Sequence, residues 1–301
     1  MNRGNDRLEN LLIPFELLEP RTLPEALSML ADDDTAVRPM GGGTALMLMM
    51  KAAVFTPRRL VSLRALAPAL GGIALDERGA LCLGGMATLS SLEHSALVKT
   101  HASVITRAMP QLSNVRVRHV ATVGGALAHA DPHMDLPTIL TALDARVQIA
   151  GPGGSRELSV DALITGYYET ALAGNELITG VAIDAVPGRK AAYIKCTTRA
   201  ADDWPALGVA LSLVCSGGHI ETARVVIGAA TDRPTRVPAA EAALAGALIE
   251  GTTLAAATLD RVRDAVASQV VYTSDAQGSG AYKRQLARVH VVRAITAALQ
   301  A

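Results

Sequence analysis

Two glycine clusters, Gly41-Gly42-Gly43-Thr44 and Thr122-Val123-Gly124-Gly125, are the residues best suited to chemistry in this chain. Each is read as the point where a strand-like segment turns into a helix-like one. Glycine reaches positive φ and lets a ligand approach the backbone, so each cluster could present N–H groups to an anion at a helix start. The pair predicts one diphosphate held from both sides. Neither cluster matches the lysine-containing phosphate loop or the G-x-G-x-x-G dinucleotide fingerprint.

The second cluster continues into Ala126-Leu127-Ala128-His129-Ala130-Asp131-Pro132-His133-Met134-Asp135, a loop rich in groups that orient ligands. Asp135 sits where a helix should begin, as an N-terminal cap, a ligand contact or both. His129 and His133 have i, i+4 spacing, but Pro132 and the upstream glycines argue against a regular helix, and a metal site is not favoured. Lys195 shares a strand face with Tyr193, opposite Ile194. It is read either as an edge lysine paired with Asp202 or Asp203, or as a cation beside an electron-rich ring. Cys82, Cys196 and Cys215 lie in strand-like runs without ligand spacing and read as small buried hydrophobes. No nucleophile–base order supports hydrolase chemistry.

With 301 residues, 50% of them hydrophobic, the chain can bury a large core in two domains or one large one. Lys+Arg and Asp+Glu both number 28, so no net field favours nucleic acid or an anionic membrane. The polar residues 1–9, and Pro14 and Glu16 within the apolar run 11–18, argue against a signal peptide. No apolar run has transmembrane length. A cytoplasmic location is the expectation, since the cysteines make no disulfide framework.

The elements that must carry these residues follow from periodicity. Strands are expected at 15–18, 36–40 and 59–63, with helices at 23–31 and 44–53, the latter so rich in Ala, Leu and Met that burial on most sides is expected. Asp76-Glu77-Arg78-Gly79 predicts a hairpin between 73–75 and 80–83. Helices at 89–98, 102–112 and 134–143 precede a strand at 145–150 and the loop Gly151-Pro152-Gly153-Gly154. After Val186-Pro187-Gly188-Arg189 the pattern changes to three strands, 191–197, 206–215 and 220–230, then helices at 238–248, 254–271 and 279–299. In the last helix Tyr282, Leu286, Val289 and Arg293 mark the edge of one stripe, while Lys283, Arg284 and Arg288 are expected to face away.

Laid out in this order, the chain resembles the medium, FAD-binding subunit of the molybdenum hydroxylases, the family of xanthine dehydrogenase and carbon monoxide dehydrogenase. The family's AGG-x-S-L and Met-Lys motifs correspond to Gly41-Gly42-Gly43-Thr44-Ala45-Leu46 and Met50-Lys51. Its T-[IV]-G-G-N and ADP-x-x-D-x-P motifs correspond to Thr122-Val123-Gly124-Gly125-Ala126 and Ala130-Asp131-Pro132-His133-Met134-Asp135-Leu136-Pro137. Gly166-Tyr167-Tyr168-Glu169-Thr170-Ala171-Leu172, Glu176-Leu177-Ile178, Lys195-x-x-x-Arg199, Pro234-Thr235-Arg236 and the last helix also fit.

The resemblance implies an α+β fold. A PCMH-type FAD-binding domain of two α/β subdomains would span 1–187 (about 1–63 and 64–187), followed at 188–301 by a C-terminal domain with a three-stranded antiparallel sheet and a helical bundle. It implies an FAD cradled by Met40, Gly41, Gly42, Gly43, Thr44, Ala45 and Leu46 from one loop and Thr122, Val123, Gly124, Gly125 and Ala126 from the other. Asp135 would hydrogen-bond the cofactor, Leu177 and Lys195 would lie near the flavin ring, and Tyr193 would be a further contact. Molybdopterin and [2Fe-2S] centres are expected on a large and a small partner subunit, in a heterotrimer that is doubled. Electrons would pass from the [2Fe-2S] centres through FAD to an external acceptor, and substrate oxidation would occur on the large subunit. Ala45 and Ala126 stand where the family has polar side chains, Ser or Asp at the first and Asn at the second. A flavin-poor structural subunit is therefore the alternative, since each lost hydrogen bond to phosphate would weaken binding by roughly 1.5–3 kcal/mol. A self-sufficient flavin oxidase has no covalent-flavin or substrate-pocket signal.

Overall fold

A computed structural model describes residues 13–31 and 34–301; the polar stretch at 1–9 lies outside them. The first lobe carries β1 (Glu16–Leu18), α1 (Leu23–Met29), β2 (Val37–Met40), α2 (Thr44–Lys51) and β3 (Arg59–Ser62). Its strands pair in parallel in the order β1-β3-β2. Thr22 starts α1 with a reciprocal capping box to Glu25, and Ala26, Leu30, Val37 and Val61 form a small core. The expectation that α2 is buried on most sides is overturned. Only Met50 of α2 is buried and Leu48 is 68% exposed; no other α2 side chain is fully covered, and none belongs to the small core of this lobe.

After α3 (Ala67–Leu70), β4 (Ile73–Leu75) and β5 (Leu81–Gly84) form the expected hairpin, with Gly79 at φ +79° in its turn. The two helices expected next are three, α4 (Leu89–His94), α5 (Ala96–His101) and α6 (Ser103–Ala108). Ser95 breaks the run because its hydroxyl accepts from the Val98 N–H and starts a new helix. The strand-like segment expected before the second glycine cluster is also absent. Asn114 accepts from the Val117 N–H and folds the segment into α7 (Val115–Arg118), leaving Thr122 a single bridge to Thr88. Then follow α8 (Val123–His129), α9 (Asp135–Ala142), β6 (Arg146–Gly151), β7 (Gly154–Ser159), α10 (Val160–Leu163), the ribbon β8 (Ile164–Gly166) and β9 (Glu169–Thr170), and β10 (Leu177–Ile183). Unlike the first sheet, the sheet of this second lobe is antiparallel throughout, in the order β4-β5-β10-β6-β7.

The C-terminal lobe has four sheet strands rather than three: β11 (Arg189–Thr197), β12 (Pro205–Ser216), β13 (His219–Gly228) and the two-residue β14 (Thr235–Arg236), too short to show a period. On one face, Leu207, Val209, Leu211 and Leu213 of β12 pack against α11 (Pro238–Leu244), α12 (Ala256–Gln269) and α13 (Gly280–Leu299). On the other, Ala210 and Val226 meet Ala142 of α9. Burial on both faces makes β12 apolar without alternation.

The register expected for α13 is corrected. Lys283 is fully buried together with Gly280, Ala287, Val291, Ala294 and Ile295, whereas Tyr282 and Val289 are each 49% exposed. Small residues let the helix lie close to the sheet, and the Lys283 ammonium finds Asp275 at 2.5 Å and the Ala229 carbonyl at 3.3 Å.

The contact between α9 and the sheet is tight at Gly228, where a Cβ would fall 2.1 Å from Thr138 Oγ1. Gly228→Ala is expected to destabilise the chain by about 1–3 kcal/mol through overpacking. Adding Thr138→Ala should recover most of that loss in urea unfolding, and equal losses in the single and double variants would contradict the packing described.

Candidate functional site

The two glycine loops lie directly against each other. A Cβ on Gly42 would fall 1.8 Å from the Val120 carbonyl oxygen, and one on Gly41 would fall 2.8 Å from Thr122 Oγ1. Glycine here is a condition for the backbones to meet.

The loops differ in what they offer a ligand. Gly43, at φ +69°, caps α2 without any side-chain hydrogen bond, and the first intrahelical bond is made by Met47 N to Gly43 O, 3.0 Å. The amides of Thr44, Ala45 and Leu46 precede that bond and are left for an anion, at the positive end of the helix dipole. In the second loop the early amides are already engaged. Val123 N donates to Ala87 O at 2.9 Å, Gly124 N to Gly85 O at 2.8 Å, Gly125 N to Thr122 Oγ1 at 3.1 Å and Ala126 N to Thr122 O at 2.9 Å. Gly124 is needed for packing, since a Cβ there would meet Gly85 O at 2.9 Å and Ile178 O at 3.3 Å. The doubt about a regular helix through His129 and His133 holds: α8 includes the glycines but ends at His129, with Ala130 in the left-handed region, and His133 lies in the loop before α9.

From this end α8 runs about 10 Å to the loop that delivers Asp135. Met134 is the N-cap of α9 and Asp135 its first residue, so the carboxylate is free for other partners. It accepts from the Tyr193 hydroxyl and from Lys195 Nζ at 3.2 Å, and Lys195 also donates to the Gln111 carbonyl at 2.7 Å. Strand alternation sets Tyr193 and Lys195 on one face of β11 and sends Ile194 into the helical core. The edge-lysine reading with Asp202 or Asp203 is thereby replaced: the Lys195 and Asp135 side chains are 2% and 7% exposed. Burial pushes the Asp135 carboxyl above the usual range, against the pull of Lys195 and the Tyr193 hydroxyl. Burial, with the Asp135 charge, also drives the Tyr193 phenol well above its ordinary value.

Leu177 is buried in the first-lobe core with Met86, whose sulfur would lie 3.8 Å from a Cβ on Gly41; it is thus on the glycine side. Met40 ends β2 and Ala126 is buried in α8. Cys82, Cys196 and Cys215 are half-buried, and burial raises each thiol. No group of three potential metal ligands occurs among the described residues. The carbonyls of Gln111, Gly85 and Val120 escape sequence reasoning because any residue type supplies one.

Removing one partner of a buried ion pair strands the other charge. Asp135→Ala is expected to cost roughly 3–5 kcal/mol in chemical denaturation, and Asp135→Leu with Lys195→Met to regain most of it. Additive losses in the double variant would show that the pair is not coupled.

Comparison with known proteins places this geometry in a family. Residues 13–185 match the FAD binding domain in molybdopterin dehydrogenase, and residues 192–298 match the CO dehydrogenase flavoprotein C-terminal domain. The chain is 28% identical to the glyceraldehyde dehydrogenase medium chain of Sulfolobus acidocaldarius, over 93% of this chain and 96% of that one. It is 28% identical to the carbon monoxide dehydrogenase medium chain of Afipia carboxidovorans, over 93% and 95%. Among solved structures, carbon monoxide dehydrogenase from Hydrogenophaga pseudoflava superposes with a TM-score of 0.90 at 28% identity, covering 96% of this chain and 98% of that chain. The chain belongs to the family of FAD-binding medium subunits of the molybdenum hydroxylases.

Proposed function

We propose that this chain binds one FAD between its lobes and serves as the electron-transfer subunit of a molybdenum-dependent dehydrogenase. The observation that carries the reading is the pairing of an uncapped helix start at Thr44, Ala45 and Leu46 with a buried Asp135–Lys195 pair at the far end of α8. The first loop suits a diphosphate and the second, with its amides engaged, holds that loop in place. Gly42 and Gly124 act by letting backbones meet, Gly41 and Gly125 leave room for the Thr122 hydroxyl that caps α8, and Met40, Val123 and Ala126 shape the wall behind them. Asp135 offers the cofactor a hydrogen-bonding carboxylate, Tyr193 fixes that carboxylate, and Lys195 sets a positive charge where reduced flavin would gain negative charge. Leu177 supports the cradle from the core side.

When bound, FAD supplies the ability to take electrons singly and to hold two. Molybdopterin and [2Fe-2S] centres belong, in this reading, to a large and a small partner subunit in a doubled heterotrimer, and the substrate pocket lies on the large one. The cysteines make no disulfide and fit a reducing, cytoplasmic compartment. No helix among the described residues is long and apolar enough to cross a membrane.

A second reading, a flavin-poor structural subunit, draws on Ala45 and Ala126, which give the cofactor no side-chain hydrogen bond. Titrating the full-length chain with FAD and following flavin fluorescence separates the two. Saturable one-to-one binding is expected, and Ala45→Ser should tighten it about tenfold by adding a hydroxyl beside the phosphates. Failure of both forms to bind, in the complex as well as alone, would favour the structural subunit.

A further inference from the structure

The loop that delivers Asp135 is held by a closed ring of contacts separate from those of Asp135 itself. Asp131 Oδ1 accepts from the His133 backbone N–H at 2.9 Å and lies 3.1 Å from His133 Nδ1. His133 Nε2 lies 3.0 Å from Asp275 Oδ2 in the C-terminal lobe. Asp275 Oδ2 accepts from Lys283 Nζ at 2.5 Å, Lys283 Nζ also donates to Ala229 O at 3.3 Å, and Ala229 N donates to Pro132 O at 3.0 Å. The ring thus returns to the residue before His133. Ala229, within the ring, and Ala130, just before Asp131, are both in the left-handed region at φ +61° and +50°; strain of this kind persists only where surroundings over-determine it.

Both nitrogens of the His133 ring face carboxylates. A neutral imidazole has one N–H and satisfies one of them, turning a lone pair toward the other; the imidazolium satisfies both. It also balances charge, with two cations, His133 and Lys283, against Asp131 and Asp275. Of the other groups packed around His133, His129 is the one whose ordinary range lies near neutrality, and burial moves it downward, opposite to the shift of His133. Trp204 stacks on the ring at 5.4 Å and 10°, with Asp203 spent on the Trp204 amide. Tyr168 has its phenol raised by burial and by the Asp131 charge, and His129 lies edge-on to Tyr168 at 5.1 Å with burial lowering its basicity. Burial alone would lower the basicity of His133, but Asp131 and Asp275 outweigh it and raise it above the ordinary 6.5.

We propose that His133 is a positioning residue: as the imidazolium it fastens the Asp135 loop to the C-terminal lobe, and cofactor retention by this chain weakens when it loses its proton. The proposal rests on the FAD reading above. Because the folded-state value is raised, the fastening is complete below pH 6.5 and is lost as pH rises through that higher value.

Trp204 is the only tryptophan of the chain, and a protonated imidazole stacked on an indole quenches its emission. In the cofactor-free full chain, Trp204 fluorescence should rise with pH, with a midpoint above 6.5, and stay flat in His133→Gln and His133→Asn. In parallel, the FAD dissociation constant of the wild type should increase about tenfold between about pH 6 and pH 9, while both variants remain near the wild-type high-pH value throughout. Parallel pH profiles of FAD binding in wild type and variants would overturn the positioning role, as would a fluorescence midpoint at or below 6.5. Absence of FAD binding at every pH, with the Trp204 titration intact, would instead sink the FAD reading and with it this role, so the two failures are told apart.

Discussion

The arrangement of the lobes depends on the Asp135–Lys195 pair being taken out of water where the second lobe meets the edge of the C-terminal sheet. Two charges at 3.2 Å with almost no solvent access are tolerable only with further hydrogen bonds, and Tyr193 and Gln111 supply them. The requirement is directional. A one-residue slip of β11 against β12 would send Lys195 into the helical core and bring Ile194 to the carboxylate, so the pair enforces the register of the edge strand. It also fixes where α9 begins, and α9 is the element that lies against the open face of the C-terminal sheet. Local charge pairing and the large apolar contact behind it therefore point to the same geometry.

At the other end of α8 the constraint is steric. Backbone meets backbone at Gly42 and Val120 and at Gly124 and Gly85, distances that no side chain permits. Contacts made by backbone atoms are insensitive to side-chain identity, which explains how alanine can stand at positions 45 and 126 while the loop geometry persists. The two glycine clusters are thus complementary: one keeps its amides open, and the other uses its own to hold the first in place.

The parts of this design that show in sequence are those with a local cause. Glycine doublets, the Asp76–Gly79 turn and the shared face of Tyr193 and Lys195 follow from backbone sterics and strand alternation, and the structure keeps each of them. The parts that do not show have non-local causes. Lys283 reads as solvated until Asp275 and Ala229 surround it. The amides after Thr122 look available until Ala87 and Gly85 take them. The segment 117–122 has the β-branched content of a strand, yet Asn114 starts a helix turn across it. The fourth sheet strand is two residues long and carries no period at all.

One feature of the C-terminal sheet bears on how the chain is made. β11 is a nine-residue strand at the sheet edge, and its outer side is shielded by the second lobe, where Arg107 donates to the Ala191 carbonyl at 2.7 Å. A C-terminal lobe folding without its neighbour would present that long edge to any other chain, the usual template for strand-to-strand aggregation. Synthesis from the N-terminus avoids the exposure, because the shielding helices emerge from the ribosome about eighty residues before the edge they cover. A circular permutant that reversed this order would keep every contact of the native state and yet meet the hazard that the natural order evades.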